Sequence, residues 1–448
     1  MEEQADTVVN KILASVQAGN YAAAVAALAA LRPVDKAEAI LELDPDERKK
    51  LISLLSAEDI APIVDELETE EAVALLEHMP AEELARVLDL VSSDVAADVL
   101  RRLRAPDLLH VLSHMKEATQ VIPLLRHADE SAGGIMVPRL ATVSATMTAE
   151  NAISLLRKLK PPVETLYDVF VVDEENRLVG VLTLGELVLA DPRAPVSEIM
   201  RRDVISVLAG TDREEAARIM EHYNLVELPV VDERQHLLGA ITVDDVVDVI
   251  EEEATEDMFR MVGLPEEERV FSPLRFSIKR RLPWLYVNLA TAFLAASVVS
   301  FFEPTLAQFA VLAVFMPVVA GQGGNAGIQT LTIIVRGLAL GEVELSDAWT
   351  ILAKEVAVGM VNGIAVGLVT ALIAVLWKGN PLLGLIVGGA MVANMIIAAL
   401  GGVLVPLGLK LFRIDPALAS MVFVTTITDV LGFFFFLGLA TLYITRLA

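Results

Sequence analysis

The sequence predicts a multidomain protein. An all-α superhelical domain spans residues 1–131, an α/β tandem-repeat domain 132–250, a connecting helix 251–281 and a five-helix α transmembrane domain 282–448. Three observations predict this layout. Long apolar runs dominate the back of the chain, a repeat with a 59-residue period occupies the middle, and short helical units fill the front.

Charge divides the chain in the same way. From Arg275 onward there are 10 Lys+Arg and 7 Asp+Glu, a net of +3, which leaves 25 against 54, a net of −29, on residues 1–274. So acidic a surface repels nucleic acid and anionic headgroups and attracts soluble cations, so no nucleic-acid partner is expected. The chain has no cysteine, hence no disulfide framework and no thiolate metal site. Its N-terminus is acidic and lacks a signal-peptide core, so the front half is expected in the cytoplasm.

In the front domain, Ser56-Ala-Glu-Asp59, Pro80-Ala-Glu-Glu83 and Ser92-Ser-Asp94 each precede an apolar helical pattern, as N-terminal caps do. Asp94 and Asp98 fall one turn apart on one face. In the middle domain, VDEENRLVGVLTLGEL from Val172 is repeated as VDERQHLLGAITVDDV from Val231, 59 residues later. Asp173 matches Asp232, Gly180 matches Gly239 and Thr183 matches Thr242. Met136-Val-Pro-Arg pairs with Met200-Arg-Arg-Asp at an offset of 64, and each copy reads as strand, helix, two strands and helix. Beyond it Asp245, Asp248, Glu252 and Glu256 form an acidic stripe at helical spacing. Divalent cations can bridge carboxylates placed this way, although most such runs are simply solvated faces.

Five apolar segments, roughly 283–302, 306–335, 351–377, 382–409 and 417–445, are each long enough to cross a bilayer, which makes membrane lipid a partner. The placement of Lys279–Arg281, Arg336, Lys354, Lys410 and Arg413 puts the N-terminus inside and the C-terminus outside. In the second segment, MPVVAGQGGNAGIQT (Met316–Thr330) is expected to interrupt regular helical hydrogen bonding at Pro317 and its glycines, and so to line protein or water rather than lipid. Gly359, Gly363 and Gly367 form a small-residue stripe suited to close helix contact.

The fifth segment holds Asp429 deep in apolar sequence, with Thr425, Thr426 and Thr428 before it and Gly432 after it. A carboxylate there costs at least about 2.5–3.5 kcal/mol on insertion scales. It pairs with a buried cation, carries a proton or binds an ion. The basic residues lie near span ends and no relay partner is evident at mid-membrane, so ion binding is favoured. All six histidines precede the membrane half, which leaves oxygen donors and methionine thioether there. That inventory suits Mg²⁺, Ca²⁺, Mn²⁺ or Na⁺ over Zn²⁺ or Cu⁺. Two Asp429 side chains across a two-fold axis would hold a hydrated Mg²⁺, so a homodimer is expected.

GQGGNAGIQT in the second segment, and DPAL (Asp415–Leu418) followed by TTITDVLG in the fifth, resemble the signatures of the MgtE family of magnesium channels. The repeat resembles a tandem pair of cystathionine β-synthase-type (CBS) domains. The resemblance covers nearly the whole chain and implies a dimeric Mg²⁺ channel of the inner (plasma) membrane. Its pore set would be Asp429, Thr425, Gly432, Asn325, Gly323 and Gly324, with Asp429 selecting Mg²⁺. It further implies a plug-like connecting helix and regulatory cytosolic Mg²⁺ at Asp94, Asp98, Asp245, Asp248, Glu253, Glu256 and Asp257. Asn224 departs from the pattern, standing where an aspartate would supply another ligand. CBS pairs commonly take ATP or another adenine nucleotide through an acidic residue three positions after the threonine, here Glu186 or Asp245. The sequence carries no GxxxxGK[ST] motif and no nucleophile–base set, so no enzyme is expected. The alternatives are a coupled carrier for other divalent cations and a pore-less membrane-anchored metal or nucleotide sensor.

Overall fold

The computed structural model describes residues 2–443 apart from 139, 162–165, 266, 267, 271, 273 and 419, with side chains from Val8 onward. Arg139 of the first MVPR segment and the expected end of the fifth span at 445 lie outside the described residues. The chain forms two compact units, Met1–Glu251 and Glu252–Ala448.

Short helices fill the front of the first unit, and each packs on the next but one. Pro33–Leu41 rests on Ala57–Val64, which rests on Ala81–Leu88, which rests on Ala105–His114. In the other layer Thr69–Leu76 packs on Ser93–Arg101, and that helix on Ala118–Leu124. Helices this short are marginal alone, so the shared apolar core carries them. That core is continuous from Ile12 in the first helix to Val249. Ser56 caps as expected, accepting the Asp59 amide at 3.3 Å. Ser92 makes no such cap: its amide and hydroxyl both donate to Asp65 Oδ1 at 2.9 Å, 27 residues back, tying two layers together.

The repeat builds two matching sheets, β1 (Thr142–Ser144), β2 (Asp168–Val172) and β3 (Leu178–Thr183), then β4 (Val207–Leu208), β5 (Glu227–Val231) and β6 (Leu237–Thr242). In each the first pair is parallel and the second antiparallel. Asp173 and Asp232 hold equivalent hairpin turns by accepting backbone amides at 2.8–2.9 Å. The two glycines matched between the copies are places of close approach. A Cβ on Gly239 would lie 2.8 Å from Met136 Sδ, and one on Gly180 would lie 2.5 Å from Met200 Sδ. The leading segment of the first copy thus packs on the last strand of the second, and Val137 and Ala240 exchange backbone bonds there.

The expected connecting helix at 251–281 takes a different form. A helix runs from Val243 to Met261 and stops at Gly263, whose φ of +74° suits glycine, with Pro265 just beyond. Lys279–Arg281 belong to the next helix, the first span, and Arg281 pairs with Glu268 at 2.6 Å.

The five spans are Leu274–Phe301, Val311–Ala339, Ala348–Lys378, Pro381–Leu411 and Ser420–Leu442. The fourth is the hub, with the second, third and fifth packed on it, and the first packs on the fifth. The interruption expected in the second span does not occur: the helix is continuous through Pro317 and all four glycines. Glycine costs about 1 kcal/mol in a helix whose backbone water can solvate. Inside a packed span no water competes, and the helical ladder satisfies the backbone groups. The glycines serve packing, with Gly327 against Val424 and Gly323 against Asn394.

Candidate functional site

The first unit gathers Asp94, Asp98 and Asp245, predicted as ligands from separate segments. Asp94 and Asp98 stand on Ser93–Arg101, and Asp245 in the first turn of Val243–Met261. Arg101 was not singled out in the sequence. Its Nη1 donates to Asp98 Oδ1 at 2.6 Å and to Asp129 Oδ1 at 2.5 Å, and its Nη2 to the Leu124 carbonyl at 2.9 Å. Burial, then the Asp129 carboxylate, pushes Asp98 up to about 8, and burial raises Asp94 as well. Asp245 is pushed up to about 7 by burial and by the neighbouring Asp94, while its Oδ2 accepts from Thr242 Oγ1 at 2.6 Å. Asp248 is raised by burial and by Asp244. Burial is the main cause at each of the four, and Arg101 is the cation that offsets it at Asp98.

The two positions proposed for a ribose differ. Glu186 closes a capping box with Thr183 and is held below its ordinary value by the Thr183 amide. Asp245 faces its own helix start, next to Asp94. Asn224 caps the helix Arg213–Tyr223 at φ +52°, a conformation asparagine tolerates well. Lys160 does the same in the first copy. Glu227, also unpredicted, is buried in β5 and accepts from the Tyr167 and Asp168 amides, stitching the repeats together. Burial pushes it up to about 7.

Glu253, Glu256 and Asp257 lie further along Val243–Met261, within the second unit. Glu256 pairs with Arg260, which also reaches Asp415 Oδ2 at 2.9 Å. The DPAL segment therefore grips the end of that helix, and Met261 packs beside Leu331, Val335, Ala417 and Val424 of the second and fifth spans and their approach.

In the fifth span Val424, Thr428, Gly432 and Phe436 form the buried ridge, and Asp429 is half-buried beside it, one turn from Thr425. A Cβ on Gly324 would lie 3.7 Å from Thr425 Cγ2, so the second and fifth spans touch there. Gly323, Gly324 and Gly432 are buried in packing, whereas Asn325 is exposed. Asn325 belongs to a stripe whose register the sequence did not show: Gln322, Asn325, Gln329, Thr332 and Arg336 recur at helical spacing and all are exposed. The second missed feature is Glu355, buried in the third span at 5 % exposure and accepting from Thr330 Oγ1 at 3.3 Å, with Lys354 Nζ 3.3 Å from its other oxygen.

Five spans with an acidic residue beside a polar helix stripe, following a strongly acidic front half, define a membrane transport protein for cations. The comparisons specify which. Residues 316–439 match the family described as divalent cation transporter, 31–130 the MgtE intracellular N domain, and 132–193 and 196–252 the CBS domain. The magnesium transporter MgtE of Thermus thermophilus is 39 % identical over 326 residues, 72 % of each chain. That of Bacillus subtilis is 33 % identical over 331 residues, 74 % of this chain and 73 % of the relative. A crystal structure of the cytosolic domain of the Mg²⁺ channel MgtE in complex with ATP superposes with a TM-score of 0.50 at 36 % identity, covering 54 % of this chain and 99 % of that one. The chain belongs to the MgtE family.

Proposed function

We propose that the protein is a homodimeric Mg²⁺ channel of the plasma membrane, with its front half in the cytoplasm and its C-terminus outside, that is closed by cytosolic Mg²⁺. The exposed stripe on the second span carries this reading. Lipid cannot hydrogen-bond the exposed amides of Gln322, Asn325 and Gln329, so they face water or another copy of the chain. Asp429 lies on the touching helix, and its carboxylate with the neighbouring threonines offers the oxygen chemistry that a hydrated Mg²⁺ takes. The relatives' description as magnesium transporters supports Mg²⁺ as the ion. Inward flow follows the membrane potential, worth about 2.3 kcal/mol per charge per 100 mV and twice that for a divalent ion.

Regulatory Mg²⁺ would be held by Asp94, Asp98, Asp245 and Asp248, replacing protons that Asp98 and Asp245 otherwise retain near neutrality. In this reading the helix Val243–Met261 carries the signal of cation binding. The far end of that helix is fastened through Arg260 to Asp415 and packs on the second and fifth spans through Met261. An adenine nucleotide at the CBS pair is part of the same reading, supported by the ATP-bound relative.

The cysteine-free sequence makes the pore assignment directly testable. Single cysteines at 322, 325, 329 and 332 should react with a charged, water-soluble thiol reagent and lose Mg²⁺ flux on reaction. Leu368→Cys, exposed on the third span, should resist the reagent. Equal reactivity at all five positions would remove the stripe from the pore.

A further inference from the structure

Asn394 of the fourth span is completely buried in an otherwise apolar stretch, and nothing so far explains it. Its Nδ2–H donates to the carbonyl of Val319 in the second span at 2.8 Å. The same amide fills the space that glycine leaves on two other helices. A Cβ on Gly323 would collide with Nδ2, and a Cβ on Gly432 would lie 2.8 Å from both Nδ2 and Oδ1. One short side chain therefore occupies the point where the second, fourth and fifth spans meet.

We propose that Asn394 is a positioning residue for permeation: it clasps Gly323 and Gly432 and so sets the register of the Asp429 helix against the polar second span. The inference rests on the channel reading above. Gly432 follows Asp429 by three residues, so whatever fixes Gly432 fixes the depth and rotation of the carboxylate. Gly323 lies two residues before Asn325 of the exposed stripe. Packing alone does not call for an amide. Leucine has the same branched heavy-atom skeleton, though bulkier, and would leave no polar atom stranded, whereas Asn394 Oδ1 has no partner among the described residues. The group is worth retaining for its donor, which fixes the amide plane, and therefore both glycine contacts, in a low-dielectric setting where a hydrogen bond is strong. It also gives a shared reason for glycine in two motifs far apart in sequence.

The test uses the full-length protein in proteoliposomes, with Mg²⁺ and Ca²⁺ flux measured separately. Asn394→Leu keeps the branched skeleton, adds some bulk and removes the donor. The proposal expects a folded, normally inserted variant whose half-saturating Mg²⁺ rises by about fivefold to tenfold, the fold-change equivalent of one lost hydrogen bond, with a reduced Mg²⁺ preference over Ca²⁺. Gly432→Ala should impair transport strongly in the wild-type background, and far less once Asn394→Ala has vacated the space. This double variant carries the test should Asn394→Leu not insert. Wild-type half-saturation and ion preference in Asn394→Leu, or additive losses in the double variant, would overturn the proposal. Asp429→Ala, run in parallel, separates the failures: if it abolishes flux while the Asn394 variants behave as wild type, the clasp falls and the channel reading stands. If Asp429→Ala transports normally, the channel reading falls and the proposal with it.

Discussion

Asp98 shows how little the identity of a residue says about its state. It is one of many aspartates in an acidic front half, yet burial and Asp129 push it up to about 8 while Arg101 bridges the two carboxylates. An unfolded chain releases this proton near 3.9. The folded state therefore binds the proton more tightly, and the resulting stabilisation is complete below about pH 4 and is lost as pH rises to about 8. Asp245, pushed up to about 7, acts in the same direction. In metal-free protein the melting temperature should fall more steeply between about pH 6 and about pH 8.5 in wild type than in Asp98→Asn, by a few °C. Saturating Mg²⁺ should remove the difference, because the cation replaces the proton. Thermal unfolding of the full chain with and without chelator measures this, and parallel slopes would contradict it.

The spacing of Asp94 and Asp98 was legible, because helical period alone puts them on one face. Arg101 and Glu227 were not. A single arginine in a helix and a single glutamate at a strand start carry no period, and their partners are 28 and 60 residues away. Asn394 escaped for the same reason: one polar residue in an apolar run says nothing about which two glycines it will meet.

At the scale of the element, glycine was read correctly in one span and wrongly in another. On the third span, Cβ atoms on Gly359, Gly363 and Gly367 would fall 2.8–2.9 Å from the backbone of the fourth, the close approach that their four-residue spacing predicts. On the second span the same residue type suggested a broken helix, yet the helix is whole. Composition tells where backbones approach one another; it does not tell whether hydrogen bonding survives the approach, because that depends on what else is there to satisfy the backbone. Gly363→Leu should push the third span off the fourth and destabilise the membrane unit by about 1–3 kcal/mol, as overpacking does elsewhere. Retention of wild-type detergent stability in that variant would show the two spans to be loosely packed. The connecting helix teaches a related point. Its acidic stripe predicted a helix, and Gly263 with Pro265 marks where it ends, so the basic cluster Lys279–Arg281 caps the membrane span instead.

On the scale of the whole molecule, the division into an acidic half and an apolar membrane half follows from charge and hydropathy alone, and the 59-residue repeat predicted two equivalent sheets. What it could not show is that the copies interlock, Met136 of one packing on Gly239 of the other, since an offset in sequence is silent about which copy a segment joins. The five spans and their order were likewise readable from length, and the hub position of the fourth span was not. Within the second unit the end of the connecting helix is held by Asp415 and packs on both motif-bearing spans.

The most direct measurement is Mg²⁺ influx into proteoliposomes under an inside-negative potential, for wild type and Asp429→Ala, with the cytoplasmic half in the lumen and luminal free Mg²⁺ stepped upward. The account predicts influx that requires Asp429 and falls off as luminal Mg²⁺ rises. Influx unchanged by the substitution, or insensitive to luminal Mg²⁺, would contradict it.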